Sequence, residues 1–310
     1  MKIQSINFQT YNQGYTRIKS QNNHSNKVNF GNNPFAELEG VLPERSFRKL
    51  GLVVVDAVRK VLDSTGLFSK VDLSDGEYML RSDRFCRLTE VNAPIIYAPP
   101  GVDVQRGMTC YASESFSLMG GNVLGTVMCD GHTIVKGSVL GEVDGHFVLI
   151  EGEVIPGGKV VSDYYISIGD HVQGIVDSKQ TAVVSGDVLE GGFVKGNIVN
   201  VWANVDGGHI VALERVIVGD VLNGGDVSAK AYAQARNITD GFVDANLVTA
   251  RNIGEGGEVY AGEYARVWDV ARGARVEART VEILGQRHSQ AKIIADKLVH
   301  NPKPRDRRTI

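Results

Sequence analysis

The chain has 310 residues, of which 43% are apolar and 22% charged, so it is long enough and apolar enough to bury a sizeable core. Its 36 Gly against 8 Pro, with no Gly-X-Y period, exclude a collagen-like chain and indicate many turns. The formal net charge of −3 is unevenly spread, because residues 1–36 carry +4 and residues 286–310 carry +5, which leaves −12 between them.

No stretch of the sequence holds the roughly 18 consecutive apolar residues of a membrane span, and the N-terminal segment lacks the apolar region of a secretory signal. The three Cys, at positions 86, 110 and 129, form no CxxC pair and indicate a reducing compartment. We therefore expect a cytoplasmic protein whose basic ends are candidate contacts to a membrane.

The first 90 residues divide into two zones. Residues 1–36 contain 12 Asn or Gln and few large apolar side chains, which predicts a disordered basic tail. Residues 37–90 predict a small α+β cap unit, in which a helix begins near Pro43 and ends near Gly66. Two short strands follow in FSKVDL and EYMLRS, and the Ser-Asp-Gly of residues 74–76 predicts a hairpin between them.

From about residue 91 the composition changes to short β-branched runs interrupted by Gly. Residues 121–284 contain 26 of the 36 Gly and 30 Val, a density of Gly that long helices do not tolerate. A small or acidic residue followed by Val or Ile recurs along this region, once in about 17 residues on average. We take the following residues as register marks: Val104, Val123, Val139, Val154, Val172, Val188, Val205, Val221, Ile238, Ile253 and Val270. Gly152, Gly169 and Gly186 recur at equal intervals close to the same period, and Gly219 follows after nearly twice that interval.

A period near 17 in a strand-forming sequence is typical of a parallel β-solenoid with three short faces in each coil. We predict an all-β parallel β-helix of about ten coils over residues 91–285. The spacing between marks varies from coil to coil, which favours right-handed winding over the strict left-handed hexapeptide type. A β-sandwich or antiparallel barrel is the alternative all-β fold. Residues 286–310 predict a short capping helix, with Ala291, Ile294, Ala295 and Leu298 on one side, and a basic tail.

Histidine, cysteine and acidic side chains are the candidates for chemistry. Cys129 and His132 form a single C-x-x-H, which is too few ligands for a zinc site. His146 and His171 are candidate bases for an acyltransferase of β-helical type. Acid pairs at 187 and 190, and at 220 and 226, resemble polysaccharide-cleaving grooves, but acids recur at the repeat position in Glu153, Asp170, Asp187, Asp220 and Asp269, which favours a structural role.

Two further candidates concern binding. Tyr164, Tyr165, Trp202 and Trp268 would stack on envelope glycans if they shared one outer face. The Gly-Gly pairs lack the strand-to-helix context of a phosphate loop and fit turns of the repeat. We expect no catalytic residues, no cofactor, no metal and no nucleic acid.

Coils written as VVSGDVLEGGFV and VIVGDVLNGGDV resemble the bactofilins, bacterial polymer-forming cytoskeletal proteins. A weaker similarity is to the β-helical region of the flagellar assembly protein A family. The bactofilin resemblance covers roughly residues 121–284, and it implies a right-handed β-helix that assembles head to tail without nucleotide and acts as a scaffold at the membrane or cell envelope. The expected function is a non-enzymatic scaffold that self-associates through the ends or the faces of its β-helix. The alternatives are a β-helical acyltransferase or polysaccharide-acting enzyme and an envelope glycan-binding module.

Overall fold

The computed structural model describes residues 70–80 and 88–301, and these residues form a parallel β-solenoid of about 13 turns with no helix. Every pairing between two of its strands is parallel, and each strand between the first and the last described coil pairs with its equivalents in the coils before and after it. The strands are β1 (Lys70–Asp72), β2 (Glu77–Met79), β3 (Glu90–Ala98), β4 (Thr109–Leu118), β5 (Thr126–Val135), β6 (Glu142–Ile150), β7 (Lys159–Ile168), β8 (Ile175–Ser178), β9 (Thr181–Val184), β10 (Val188–Leu189), β11 (Phe193–Val201), β12 (Val205–Asp206), β13 (His209–Val218), β14 (Asp220–Leu222), β15 (Asp226–Thr239), β16 (Phe242–Ile253), β17 (Glu258–Val270), β18 (Arg275–Ile283) and β19 (Lys292–His300).

Each coil has three faces, which we name in chain order. In β4, residues 109–112 form the first face, a bend follows, and residues 115–118 form the second face. After a short corner, the single bridge at Val123 forms the third face. Side chains alternate inward and outward along the first two faces, so that each coil buries two residues on each of them and one on the third.

The eleven register marks predicted from the sequence all lie on the third face. Val104 pairs with Val123, and the pairing continues without interruption through every mark to Val270. All eleven side chains are buried, with exposed fractions of 2% or less. The parallel β-helix is therefore confirmed, and the parallel pairing of all the strands contradicts a sandwich or antiparallel barrel.

The inner side of the bend between the first and second faces accepts only small residues. The inward position just before the bend is Ala, Gly, Ser or Cys in every coil from β3 to β19, since the chain turns sharply there and inward Cβ atoms crowd together. Its members are Ala93, Ala112, Cys129, Gly145, Ser162, Ser178, Gly196, Ala212, Ala229, Ala245, Ala261, Ala278 and Ala295.

A column of glycines occupies the corner between the third and first faces. Nine successive coils have Gly immediately before the first face, and in most of them a Cβ would lie 1.9–2.7 Å from a carbonyl oxygen of the adjacent coil or turn. In the Gly-Gly pairs, the first Gly has a positive φ, as at Gly191, and the second makes the close approach, as at Gly192. The nine are Gly125, Gly141, Gly158, Gly174, Gly192, Gly208, Gly225, Gly241 and Gly257.

Both ends of the predicted solenoid are corrected. Strands β1 and β2 do not form a hairpin, because each pairs in parallel with β3, so that they make the first described coil. The turn at Gly76 (φ 93°) forms a corner between two faces and does not reverse the chain. The predicted helix at the other end is strand β19, whose backbone pairs with β18 along the strand. The open edge of β18 thus overrides the local helical pattern, and the solenoid is longer than the ten coils predicted.

The tail 1–36, the helix near 44–65 and the final basic residues 302–310 lie outside the described residues. The right-handed winding stays a prediction.

Candidate assembly surfaces

Four of the five recurring acids predicted from the sequence, all except Asp170, belong to a polar ladder next to the third face. In each coil the residue before the register mark is polar, and in most coils its side chain accepts a hydrogen bond from the next coil. The Asp103 carboxylate accepts the Asn122 N–H at 2.7 Å, and the Asp187 carboxylate accepts the Asn204 N–H at 2.8 Å. The ladder comprises Asp103, Asn122, Ser138, Glu153, His171, Asp187, Asn204, Asp220, Asn237, Asn252, Asp269 and Gln286. Seven of these side chains accept a corner backbone N–H of the next coil, and Asp220 and Asn237 accept the side-chain amide of the next Asn, so the ladder joins coil to coil.

In each acid pair that resembled a catalytic groove, the first acid belongs to the polar ladder, and Glu190, the second acid of the first pair, is exposed in a turn. Asp187 and Asp220 lie in the ladder, and Asp220 accepts hydrogen bonds from Arg236 and Asn237 at 2.8 Å each. Asp226 points outward from the first face beside His209, at 3.5 Å. Asp170 does not belong to the ladder, because His171 holds that position. The carboxylates of Asp187 and Asp220 are thus already engaged by backbone and side-chain donors.

The candidate histidines lie apart from one another. His171 Nδ1 accepts the Asp187 N–H at 3.0 Å, so this ring replaces a carboxylate in the ladder. His146 lies at the bend, 3.3 Å from the Asp163 carboxylate, and His132 stacks on Phe147 with centroids 5.1 Å apart. Among residues 70–80 and 88–301 there is no group of three or more His, Cys, Asp or Glu side chains that could hold a metal ion.

Two buried thiols line the core. Burial raises the pKa of the Cys110 thiol to about 12 and also raises the pKa of Cys129. The Cys129 Sγ lies 3.5 Å from the His132 carbonyl oxygen, whereas the His132 side chain faces outward in strand β5. The C-x-x-H pair therefore does not converge on one point.

The four aromatic residues predicted for glycan stacking do not share a face. Tyr164 lies at the bend between the first two faces, and Tyr165 follows it on the second face. Trp202 and Trp268 lie at the opposite corner, between the second and third faces, and Trp202 is the more exposed at 71%. The Tyr164 ring stacks on Phe147 with an interplanar angle of 11°, so one of its two faces is already covered.

A shallow open groove follows the bend of four coils in the C-terminal half. Its floor is formed by the small inward residues Ala212, Ala229 and Ala245, and Leu213 and Lys230 form part of its wall. Leu213 is 57% exposed. This depression repeats with the coils and brings no set of reactive groups together.

The last coil is an open end among the described residues. Strand β19 pairs with β18 along one edge, and no described strand pairs with its other edge. Leu298, which points toward the solenoid axis, is 43% exposed, whereas the equivalent Val281 in β18 is fully buried. Ile293 and Ala295 are only partly buried at this end. The end of the solenoid at β19 thus exposes a strand edge with no described partner, together with side chains of the core.

The outward columns of the second face have few charges. From β3 to β16, ten strands contribute twenty outward positions, of which only Arg215 is charged. At the 22% average of the chain, about four charges would be expected. The positions are Ile95, Tyr97, Ser115, Ser117, His132, Ile134, Phe147, Leu149, Tyr165, Ser167, Thr181, Val183, Ile198, Asn200, Arg215, Ile217, Tyr232, Gln234, Leu247 and Thr249.

The first face of the same ten coils differs in character. Eight of its twenty outward positions are charged: Glu90, Glu142, Asp144, Lys159, Asp177, Lys195, Asp226 and Asp244. Ion pairs connect neighbouring coils, as between Lys159 and Glu142 at 2.7 Å and between Lys195 and Asp177 at 3.2 Å. The low charge of the second face is therefore a property of that face and not of the coils as a whole.

Neither this surface nor the small-residue column at the bend was predicted from the sequence. Both are visible only when each coil is written beneath the last in the correct register. The uneven spacing of the repeat hides such columns, because an offset of one residue moves a side chain from the inside to the outside.

Comparison of the chain with family models, with curated proteins and with solved structures gives no match. Within residues 70–80 and 88–301, no helix is long and apolar enough to cross a bilayer.

Proposed function

We propose that this protein is a non-enzymatic scaffold that self-associates through the ends of its β-solenoid, in the manner of the bactofilins. The observation that carries the proposal is the last described coil, in which no described strand pairs with the outer edge of β19 and the core residues beside that edge are partly exposed. Solenoid coils stack on their neighbours by the same contacts throughout, so a coil of a second molecule fits this end as the next repeat does.

The first described coil is a suitable partner for the last one. Continuing the register of the solenoid across the junction places Leu298 of one copy against Tyr78 of the next, and Lys297 against Glu77. The same continuation places Lys292 opposite Lys70, the one like-charged pair.

Charge also favours this pairing of unlike ends. The charged residues of the first described coil, Lys70, Asp72, Asp75 and Glu77, sum to −2, whereas those of β19, Lys292, Asp296 and Lys297, sum to +1. Head-to-tail contact therefore brings opposite net charges together, and tail-to-tail contact brings like charges together.

A cytoplasmic location and contact of the basic chain ends with membrane or cell-envelope components belong to the same proposal. Their support is the sequence itself, in which residues 1–36 carry +4 and residues 286–310 carry +5. Segments rich in Lys and Arg are attracted to anionic lipid surfaces. The proposed partner of the solenoid is another copy of this chain, with no nucleotide, metal or nucleic acid required.

Negative-stain microscopy and sedimentation of the full chain test the proposal. A single solenoid is about 60 Å long at the usual strand spacing. We expect rods that are multiples of this length and that lengthen with protein concentration. Leu298→Asp places a charge at the open end and should reduce the product to single units. The matched control is Leu213→Asp, which changes an exposed leucine on an internal coil.

Circular dichroism and thermal unfolding should show that both variants keep the solenoid. Wild-type protein that stays at single-unit length at all concentrations would contradict the proposal. Equal rod lengths for wild type and Leu298→Asp would contradict it as well.

A further inference from the structure

We propose that the second face is a lateral surface on which a second copy of this chain packs, sheet against sheet. This inference rests on the proposed self-association and adds a contact between the sides of two solenoids to the contact between their ends. The surface consists of the twenty outward positions from β3 to β16, of which only Arg215 is charged.

The occupant is a second copy, as the proposed self-association supplies it, and the charge distribution favours the second face for its contact. An identical copy brings the same charges to every contact, and residues 88–200 hold 13 acids against 5 Lys or Arg. Two first faces in contact would oppose carboxylates such as Glu142 and Asp144. Burial, followed by the nearby Asp163 and Glu142 carboxylates, already raises the pKa of Asp144 within one copy. The second face avoids this repulsion over ten strands.

The side chains of the second face are those of a protein interface core. Ile95, Tyr97, Ile134, Phe147 and Leu149 provide apolar and aromatic contact area, and charged residues are depleted as in buried interface centres. Phe147 is 44% exposed, and its ring is held by His132 on one side and Tyr164 on the other. Because these rings are already ordered by stacking, packing against a partner immobilises little additional freedom.

The dimensions of the surface predict a weak contact between single copies. Ten strands at about 4.8 Å spacing extend about 43 Å, and the four residues of each strand extend about 10 Å across. The flat area of about 430 Å² is roughly half of the 800 Å² per partner in a standard interface. Copies joined end to end repeat the contact along the rod, so their lateral affinity accumulates. Lateral pairing should therefore accompany rod formation.

The test uses two threonines, each at the first outward position of its strand segment but on different faces. Thr181 points outward from the second face and Thr126 from the first, and both are half-buried strand residues. Thr181→Lys adds one positive charge from each copy to the proposed interface. Its neighbours in the adjacent coils are the uncharged Tyr165 and Ile198. Thr126→Lys is the matched control, since it places the new ammonium group beside Glu142.

We expect wild-type rods to associate side by side in negative stain, with widths of two or more solenoids. Thr181→Lys should give single-width rods of unchanged length and should weaken lateral association at least tenfold in sedimentation, whereas Thr126→Lys should behave as wild type. Single-width wild-type rods at all concentrations would overturn the lateral contact and leave end stacking intact. Equal weakening by the two lysines would overturn it too.

The Leu298→Asp background separates this inference from the proposed function. With end stacking blocked, a concentration-dependent pair of single units that disappears in Leu298→Asp/Thr181→Lys supports the lateral contact by itself. Pairs that persist in the double variant at unchanged affinity contradict the lateral contact. Long rods that persist in Leu298→Asp contradict end stacking and leave the lateral contact to be judged by rod width in Thr181→Lys.

Discussion

The backbone N–H of Asn204 donates a 2.8 Å hydrogen bond to the carboxylate of Asp187, which lies one coil earlier at the same position of the repeat. The polar ladder thus uses one side chain in most coils to satisfy a corner amide of the next coil. It acts beside the third face, where each coil contributes a single buried residue and few backbone bonds. The ladder therefore stabilises the face of the solenoid that has the least sheet.

Removal of one ladder side chain tests this role. Asp187→Ala leaves the Asn204 N–H without its acceptor and should lower the free energy of unfolding by about 1–2 kcal/mol. Asp187→Asn keeps an acceptor oxygen and should cost less. Urea unfolding followed by circular dichroism measures both. The control is Asp177→Ala, which removes only a surface ion pair with Lys195 and should cost below about 1 kcal/mol. Equal losses of unfolding free energy in Asp187→Ala and Asp177→Ala would show that the ladder bond stabilises the solenoid no more than a surface ion pair does.

The glycine column can be tested by adding a single Cβ. In Gly174→Ala the new Cβ would lie 2.3 Å from the Gly158 carbonyl oxygen, so the coils must separate, and we expect a loss of about 1–3 kcal/mol. In Gly262→Ala the nearest atom is the Asn246 Oδ1 at 2.8 Å, at the end of a flexible side chain, and stability should change little. Thermal unfolding of the two variants compares them. A Gly174→Ala variant as stable as the wild type would mean that the corner is not tightly packed.

The buried thiol of Cys110 predicts how stability changes in alkali. Burial raises its pKa to about 12 from an ordinary value of 9.0, so the unfolded chain loses its proton first as the pH rises. Because the folded state keeps this proton more tightly, the protonated thiol contributes its full share of stability below the unfolded pKa of 9.0. As the pH rises above that value the contribution decreases, and the free energy of unfolding should be lower by roughly 1 kcal/mol at pH 10. Between pH 8 and pH 10 the free energy of unfolding should therefore fall further in wild type than in Cys110→Ala, which has no titrating group at this position. Identical pH slopes for the two proteins would contradict this assignment.

The third face shows where sequence periodicity predicts structure well. Each register mark is a lone β-branched residue between two short corners, and its burial leaves it little freedom to change. For this reason Val104 through Val270 could be aligned by sequence alone, although their spacings vary.

The even spacing of three glycines predicted the register of the coils less well than the register marks did. Gly152, Gly169 and Gly186 are evenly spaced along the chain, yet a Cβ on Gly169 would meet Glu151 and a Cβ on Gly186 would meet Asp170. Gly169 therefore lies one position out of register with the other two. The coil between Val154 and Val172 is longer than its neighbours, yet the two valines still pair. The added length therefore moves Gly169 relative to the buried mark and leaves the pairing of the marks unchanged.

The sequence alone was enough to predict that the chain winds into stacked coils and which valines fill the third face. It was enough because a buried β-branched residue and a glycine at a close approach must recur once in every turn. The pairing of strands in space was needed to show that residues 70–80 and 292–300 continue the solenoid, since an adjacent coil supplies the backbone partners that their local patterns do not reveal. It was also needed to show which outward side chains share a face, because hydrogen bonds between residues one coil apart align them. The low charge of the second face exists only in that alignment.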